Sequence, residues 1–309
     1  MRLHLRELSQ RYGLVLSLLL LCLVLSLLSD RFLTSSNLVN VLRQSTINGI
    51  IAVGMTYVIL TAGIDLSVGA VLALCTVVTA DLLKQDLPVP VAVTAGLGLG
   101  AGLGLISGLI ITQTGVPPFV ATLGMMTIAR GLALTYSEGR PITGLPDSFR
   151  FLGTGSLGPV PMPIILAGLT FAVGYLVLTR TPVGQYIFAL GNNPVAARYA
   201  GIEVKRYTTL VYVIAGFLAA LAGMILIARL NSAQPTAGLE FEFDAIAAVV
   251  VGGTSFAGGQ GGLGGTLLGV LVIAVINNGL NLLNVSSFYQ PVVTGVVIAL
   301  ALLLYRIAR

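Results

Sequence analysis

Uncharged hydrogen-bonding side chains are the chemistry this sequence offers within its apolar stretches. Asn48, Gln113, Thr122, Asn277, Asn278 and Asn281 fall in or at the ends of hydrophobic runs, and Gln234 and Thr236 follow just beyond one. Asn278 and Asn281 are three residues apart, so a helix presents both on one face. Amides and hydroxyls donate as well as accept, which suits a neutral solute rich in hydroxyl groups and suits a bare ion poorly. The same groups also bond one another between membrane helices, and the sequence leaves both uses open. Asp65, with Ser67 two residues on, is the one acid in the interior of the hydrophobic regions. It either caps a helix starting near Leu66 or meets a solute directly, and the two roles are compatible.

These residues need a scaffold, and composition specifies its kind. Of 309 residues 56% are hydrophobic and 9% charged, with a mean hydropathy of +0.99. That balance excludes a soluble domain and predicts an all-α polytopic membrane protein. Runs long enough to cross about 30 Å of hydrocarbon lie near 12–28, 46–62, 65–82, 89–111, 117–136, 162–180, 207–228, 263–283 and 289–306. A tenth, 244–258, is short and interrupted at Gly252 and Gly253; it either spans or re-enters, and it is counted here as a span. About ten transmembrane helices in a single domain over 1–309 are therefore expected. Arg2, Arg6 and Arg11 before Leu14–Leu28 resemble a signal peptide, but no small-residue cleavage site follows, so the run reads as a retained span.

The net charge of +5 reflects membrane sidedness rather than nucleic-acid binding. With ten spans and a cytoplasmic N-terminus, the inner side receives nine basic and two acidic residues and the outer side seven and eight. Both termini then lie in the cytoplasm. Cys22 and Cys75 sit in apolar runs without metal-ligand spacing to each other or to His4, so they read as packed or lipid-facing thiols, and no metal or other cofactor is expected in this chain.

Glycine recurs every fourth residue at 96, 100, 104 and 108 and again at 261, 265 and 269. Such stripes let backbones approach closely, either inside one bundle or along a dimer seam. A faint internal echo relates Gly63–Gly69 to Gly258–Gly264, of the kind that carriers place at interrupted helices.

The largest inner loop, 181–206, contains GNNPVAARYAG from Gly191 to Gly201. Asn193 suits an N-cap, Pro194 the first helical position and Gly201 a left-handed terminus. The helix between them is too short to stand alone in water, so it must dock on something. No phosphate-binding loop, proton-relay chain, voltage sensor, zinc motif or nucleophile elbow occurs. An enzymatic reading has no support, and the combination predicts a transport subunit that draws energy from another protein.

AVGMTYVILTAGIDLSVGAVLAL (52–74), ALGNNPVAARYAGI (189–202), NSAQPTAG (231–238), DAIAAVVVGGTSFAGGQG (244–261) and NNGLNLLNVSSFYQ (277–290) come in an order that resembles the permease subunits of bacterial ABC sugar importers, in particular the ribose-type branch of the binding-protein-dependent permeases. The resemblance runs from about Phe32 onward. It implies a homodimer in the inner membrane, with a related permease as the alternative second half, surrounded by lipid. A cytoplasmic ATPase subunit and a periplasmic sugar-binding protein complete the implied machine. The family's coupling helix maps onto Gly191, Asn192, Asn193, Pro194, Ala196, Ala197, Arg198 and Gly201. This loop departs from the EAA pattern of other importers. The solute path is expected at Asn48, Asp65, Ser67, Gln234, Thr236, Asn277, Asn278 and Asn281, and docking of the binding protein at Arg229, Glu240 and Glu242. The cargo stays open among ribose, a hexose, xylose and autoinducer-2, with a stand-alone secondary carrier as the alternative of a different class.

Overall fold

The computed structural model describes residues 2–307, and side chains from 13 to 299 except those of 287 and 298. Arg2, Arg6, Glu7, Arg11, Arg306 and Arg309, whose charges weigh in the assignment of sides, and His4 lie outside the described side chains. Thirteen α-helices are present: α1 Arg2–Leu28, α2 Ser35–Leu60, α3 Val68–Lys84, α4 Val89–Thr114, α5 Pro118–Tyr136, α6 Asp147–Thr154, α7 Met162–Arg180, α8 Pro182–Asn192, α9 Pro194–Tyr199, α10 Val204–Leu230, α11 Phe241–Val251, α12 Leu263–Leu282 and α13 Gln290–Ile307. Four two-residue strands complete it. β1 (Ile142–Thr143) pairs antiparallel with β4 (Ser232–Ala233), and β2 (Ser156–Leu157) with β3 (Val160–Pro161).

Among the described residues five helices, α4, α5, α7, α10 and α12, are long and apolar enough to cross a membrane by length and composition. The hydropathy run at 46–62 is the second half of a longer element. Helix α2 starts eleven residues earlier, where the Thr34 hydroxyl accepts from the Asn37 N–H, and its 26 residues span about 39 Å. The polar first turns, with Asn37, Asn40, Arg43 and Gln44, hide this half from a hydropathy window. The run at 65–82 resolves into a break over 61–67 followed by α3. The interrupted run at 244–258 becomes α11, then an irregular stretch over 252–262 that leads into α12.

Contacts sort the junctions between helices into two ends of the bundle. At one end β1 meets β4, Tyr136 donates to Asp81 (2.5 Å), and Asn37 pairs with Asn278. At the other, Lys205 donates to Gln113 (3.1 Å), the Leu66 N–H to Thr122 (3.2 Å) and the Gly259 N–H to the Leu60 carbonyl (2.9 Å).

Both glycine stripes are consumed inside the chain. A methyl at Gly100 would lie 2.5 Å from the Gly216 carbonyl oxygen, and one at Gly104 would sit on that of Tyr212. Helix α4 thus meets α10 backbone to backbone. Gly96 faces Thr79 and Gly108 faces Thr209, while Gly265 and Gly269 face Gly252 and Ala248 across the α11–α12 hairpin. The dimer-seam use of these stripes is therefore excluded for those glycines by their own-chain neighbours. Cys75 is buried in the core and Cys22 half-buried.

Candidate functional site

Two adjoining cavities open between α2, α10, α11, α12 and α13. One, of about 480 Å³, is lined by Phe241, Phe243, Asp244, Asn277, Gln290 and Thr294 among others, with Glu240 on its wall. The second, of about 340 Å³, is lined by Gln44, Ser45, Asn48, Arg229, Asp244, Asn277, Asn281 and Gln290 together with apolar residues. Phe241, Asp244, Asn277 and Gln290 belong to both, so they form the partition. Volumes of this order are those of small-molecule sites, about 300–1,000 Å³.

Asp244 holds the partition together. Its Oδ2 accepts from Asn48 Nδ2 (3.0 Å) and its Oδ1 from the Thr294 hydroxyl (3.2 Å), linking α11 to α2 and to α13. Beside it Gln290 Nε2 donates to Asn281 Oδ1 (3.1 Å). The lining thus combines amides, hydroxyls, the shared Asp244 carboxylate, the charged groups of Arg229 and Glu240, and the phenylalanine rings of Phe241 and Phe243.

The expected path residues separate. Asn48, Asn277 and Asn281 come together here. Asn278 does not line either cavity: it is 3% exposed and exchanges two hydrogen bonds with Asn37, at 2.9 and 3.0 Å, locking α12 to α2. Gln234 and Thr236 are exposed on the loop after β4. Arg130 Nη1 steadies that loop by donating to the carbonyls of Pro235 (2.7 Å) and Ala237 (2.8 Å). Asp65 and Ser67 lie at the opposite end, 1% and 2% exposed, where Asp65 Oδ1 accepts from the Ser67 N–H (2.9 Å) and hydroxyl (2.6 Å). Helix α3 begins at Val68, so the carboxylate braces the turn before the helix rather than its first turn.

Of the expected docking residues, Arg229 and Glu240 reach the cavities, but Glu242 is 7% exposed and packs beside Gly69, which removes it from any docking surface. Sequence reasoning missed Asp244, Thr294, Gln290 and Gln44 as lining. The available signal was Asp244 itself, an acid at the head of the one interrupted run.

At the far end α8, α9 and the turn between them form an elbow. Asn193 Oδ1 accepts from the N–H groups of Val195 and Ala196, both at 3.0 Å, and the chain leaves α9 with Gly201 at φ 83°. Gly191 is buried, wedged between the Leu60 carbonyl and Gly259, and Asn192 Nδ2 donates to the Gly259 carbonyl (3.4 Å). The elbow therefore touches the last residue of α2, where the 61–67 break begins, and the 252–262 stretch. Ala197 is 5% exposed and turned into the chain, whereas Val195 is 62% and Tyr199 90% exposed, with Pro194, Ala196 and Arg198 also outward. Tyr199 carried no signal of its own, since a lone tyrosine near a loop is unremarkable in sequence.

Residues 37–303 match the family model described as a branched-chain amino acid transport system permease component. The chain belongs to this permease family. Among its relatives, the ribose import permease protein of Bacillus subtilis is 50% identical over 307 residues, 99% of this chain and 95% of that protein. The ribose import permease protein of Escherichia coli K12 is 49% identical over 293 residues, 94% and 91% of the two chains. The D-allose transport system permease protein of the same strain is 40% identical over 299 residues, 96% and 92%. No solved structure matches the chain.

Proposed function

We propose that this chain is the membrane-spanning permease subunit of an ATP-driven importer that carries ribose from the periplasm to the cytoplasm. The observation that carries the reading is the match to the ribose import permeases at 50% and 49% identity over nearly the full chain, against 40% for the D-allose permease. The amides and hydroxyls of the vestibule support it, since a neutral polyol needs many donors and acceptors.

In this reading the permease lies in the bacterial inner membrane and crosses it ten times, through α1, α2, α3, α4, α5, α7, α10, α11 with 252–262, α12 and α13. The two-ended sorting of junctions supports that alternation. The excess of basic residues on the side of 181–206 supports a cytoplasmic elbow and cytoplasmic termini. Two copies form the pathway. A separate cytoplasmic ATPase hydrolyses the nucleotide, because this chain has no loop to hold one. It receives the outward face of α9, where Val195 and Tyr199 stand four residues apart on one side. A periplasmic sugar-binding protein selects the cargo and docks at the end carrying Arg229 and Glu240.

The mechanism follows from the elbow. ATP-driven closure of the nucleotide subunits shifts α9, and Gly191 with Asn192 passes that shift to Leu60 and Gly259 at once. Both breaks move together, so the pathway opens toward one side at a time.

Proteoliposomes holding the permease, its ATPase and the loaded binding protein test this by accumulation of labelled ribose. ATP-dependent accumulation is expected. Uptake by the permease without any ATPase would favour a stand-alone carrier, and uptake of allose in place of ribose would move the cargo to a hexose.

A further inference from the structure

We propose that Asp244 is the carboxylate that receives the sugar in the vestibule, exchanging its two internal hydrogen-bond donors for hydroxyls of the solute. The proposal rests on the sugar-importer reading above and assigns it a binding group.

Asp244 is the one side chain that faces both cavities and also ties three helices together. A carboxylate offers about four acceptor sites, and only two are occupied, by Asn48 and Thr294. No cation pairs with it among the described residues. Adjacent hydroxyls on a sugar ring supply two O–H donors side by side, matching the two carboxylate oxygens. The bonds from Asn48 and Thr294 and those from solute hydroxyls are alike neutral donors on one ionised acceptor, so the exchange is close to balanced and the solute gains by presenting two hydroxyls at once. Asn277, Asn281 and Gln290 surround the carboxylate with groups able to satisfy the remaining hydroxyls. Phe241 and Phe243 give the C–H face of the ring an apolar wall.

The exchange has a mechanical side. The donors to be displaced come from α2 and from α13, so each solute hydroxyl that replaces one frees α11 from a neighbour. Arrival of the sugar thereby loosens the partition between the cavities, and an empty vestibule stays latched.

Competition of this kind predicts opposite signs for two variants. The permease–ATPase complex in nanodiscs is titrated with ribose and followed by saturation-transfer NMR. Asp244→Asn should weaken ribose binding about tenfold, equivalent to ~1.4 kcal/mol. Thr294→Val keeps the shape but removes a competing donor, and should tighten binding about threefold. A purely structural latch would weaken binding in both. Wild-type affinity in the Asp244→Asn complex, or weakened binding in the Thr294→Val complex, overturns the proposal. If Asp244→Asn does not assemble, the sign of the Thr294→Val effect decides alone. A wild-type complex that imports ribose yet shows no saturable ribose signal also overturns it while leaving the transport reading intact. Absence of ribose uptake by the wild-type complex strikes the transport reading, and this proposal with it.

Discussion

Asn277, Asn278 and Asn281 are three amides within five residues of α12, and they end in three environments. Asn277 lines both cavities, Asn281 bonds Gln290 at the edge of one, and Asn278 is locked to Asn37 in the helix interface. Each helical step turns the side chain by about 100°, so which amide faces water depends on where α2 packs, and that is not written in α12. By contrast, Asn193, Pro194 and Gly201 were legible because capping is local chemistry. The Asn37–Asn278 pair makes a prediction at this scale. Asn278→Ala leaves the Asn37 amide short of its partner and should cost about 1–3 kcal/mol, lowering the Tm of the detergent-solubilised permease. Replacing both by Leu should recover part of the loss, since two matched apolar groups leave nothing unsatisfied. A double variant less stable than the single would argue that the pair is not a closed unit.

Elements were legible where hydropathy and helicity coincide, as in α7, whose 162–180 run matches Met162–Arg180 end to end. They were hidden where a helix is polar along part of its length. The first ten residues of α2 and all of α6 are such cases, and α8 lies within the 181–206 loop although Thr181 and Pro182 supply its N-terminal cap and first position, because it is too short to register as a hydrophobic span. Helix α9 was visible, but its orientation was not. Ala197 faces the chain and Tyr199 faces outward, so a substitution at Ala197 disturbs internal packing as well as docking. The cleaner variant is Val195→Asp with Tyr199→Ala, both exposed. Membrane insertion and thermal stability should stay unchanged, while co-purification of the ATPase falls at least tenfold. Retained co-purification would mean that another surface carries the ATPase.

At the scale of the whole molecule, the two interrupted helix pairs meet tip to tip, and the elbow grips both. The echo between Gly63–Gly69 and Gly258–Gly264 pointed to the two breaks, yet the contact of Leu60 with Gly259 joins residues far apart in the sequence and has no local signature. Gly191 occupies the joint so closely that a single methyl would meet the Leu60 carbonyl and the Gly259 N–H. Gly191→Val should therefore keep ATPase association but lower ribose imported per ATP hydrolysed several-fold in proteoliposomes. An unchanged ratio would remove the elbow from the transmission path. The seam of α4 and α10 behaves in the opposite way. Where carbonyls rest on glycines there is no side chain left to rearrange, and sliding either helix would drive Gly104 and Gly216 into backbone. That half of the bundle is a stator. In the proposed cycle displacement falls to the α11–α12 hairpin, which Gly265 and Gly269 lock into one piece against Gly252 and Ala248 and which meets α2 and α13 through hydrogen bonds that can be exchanged.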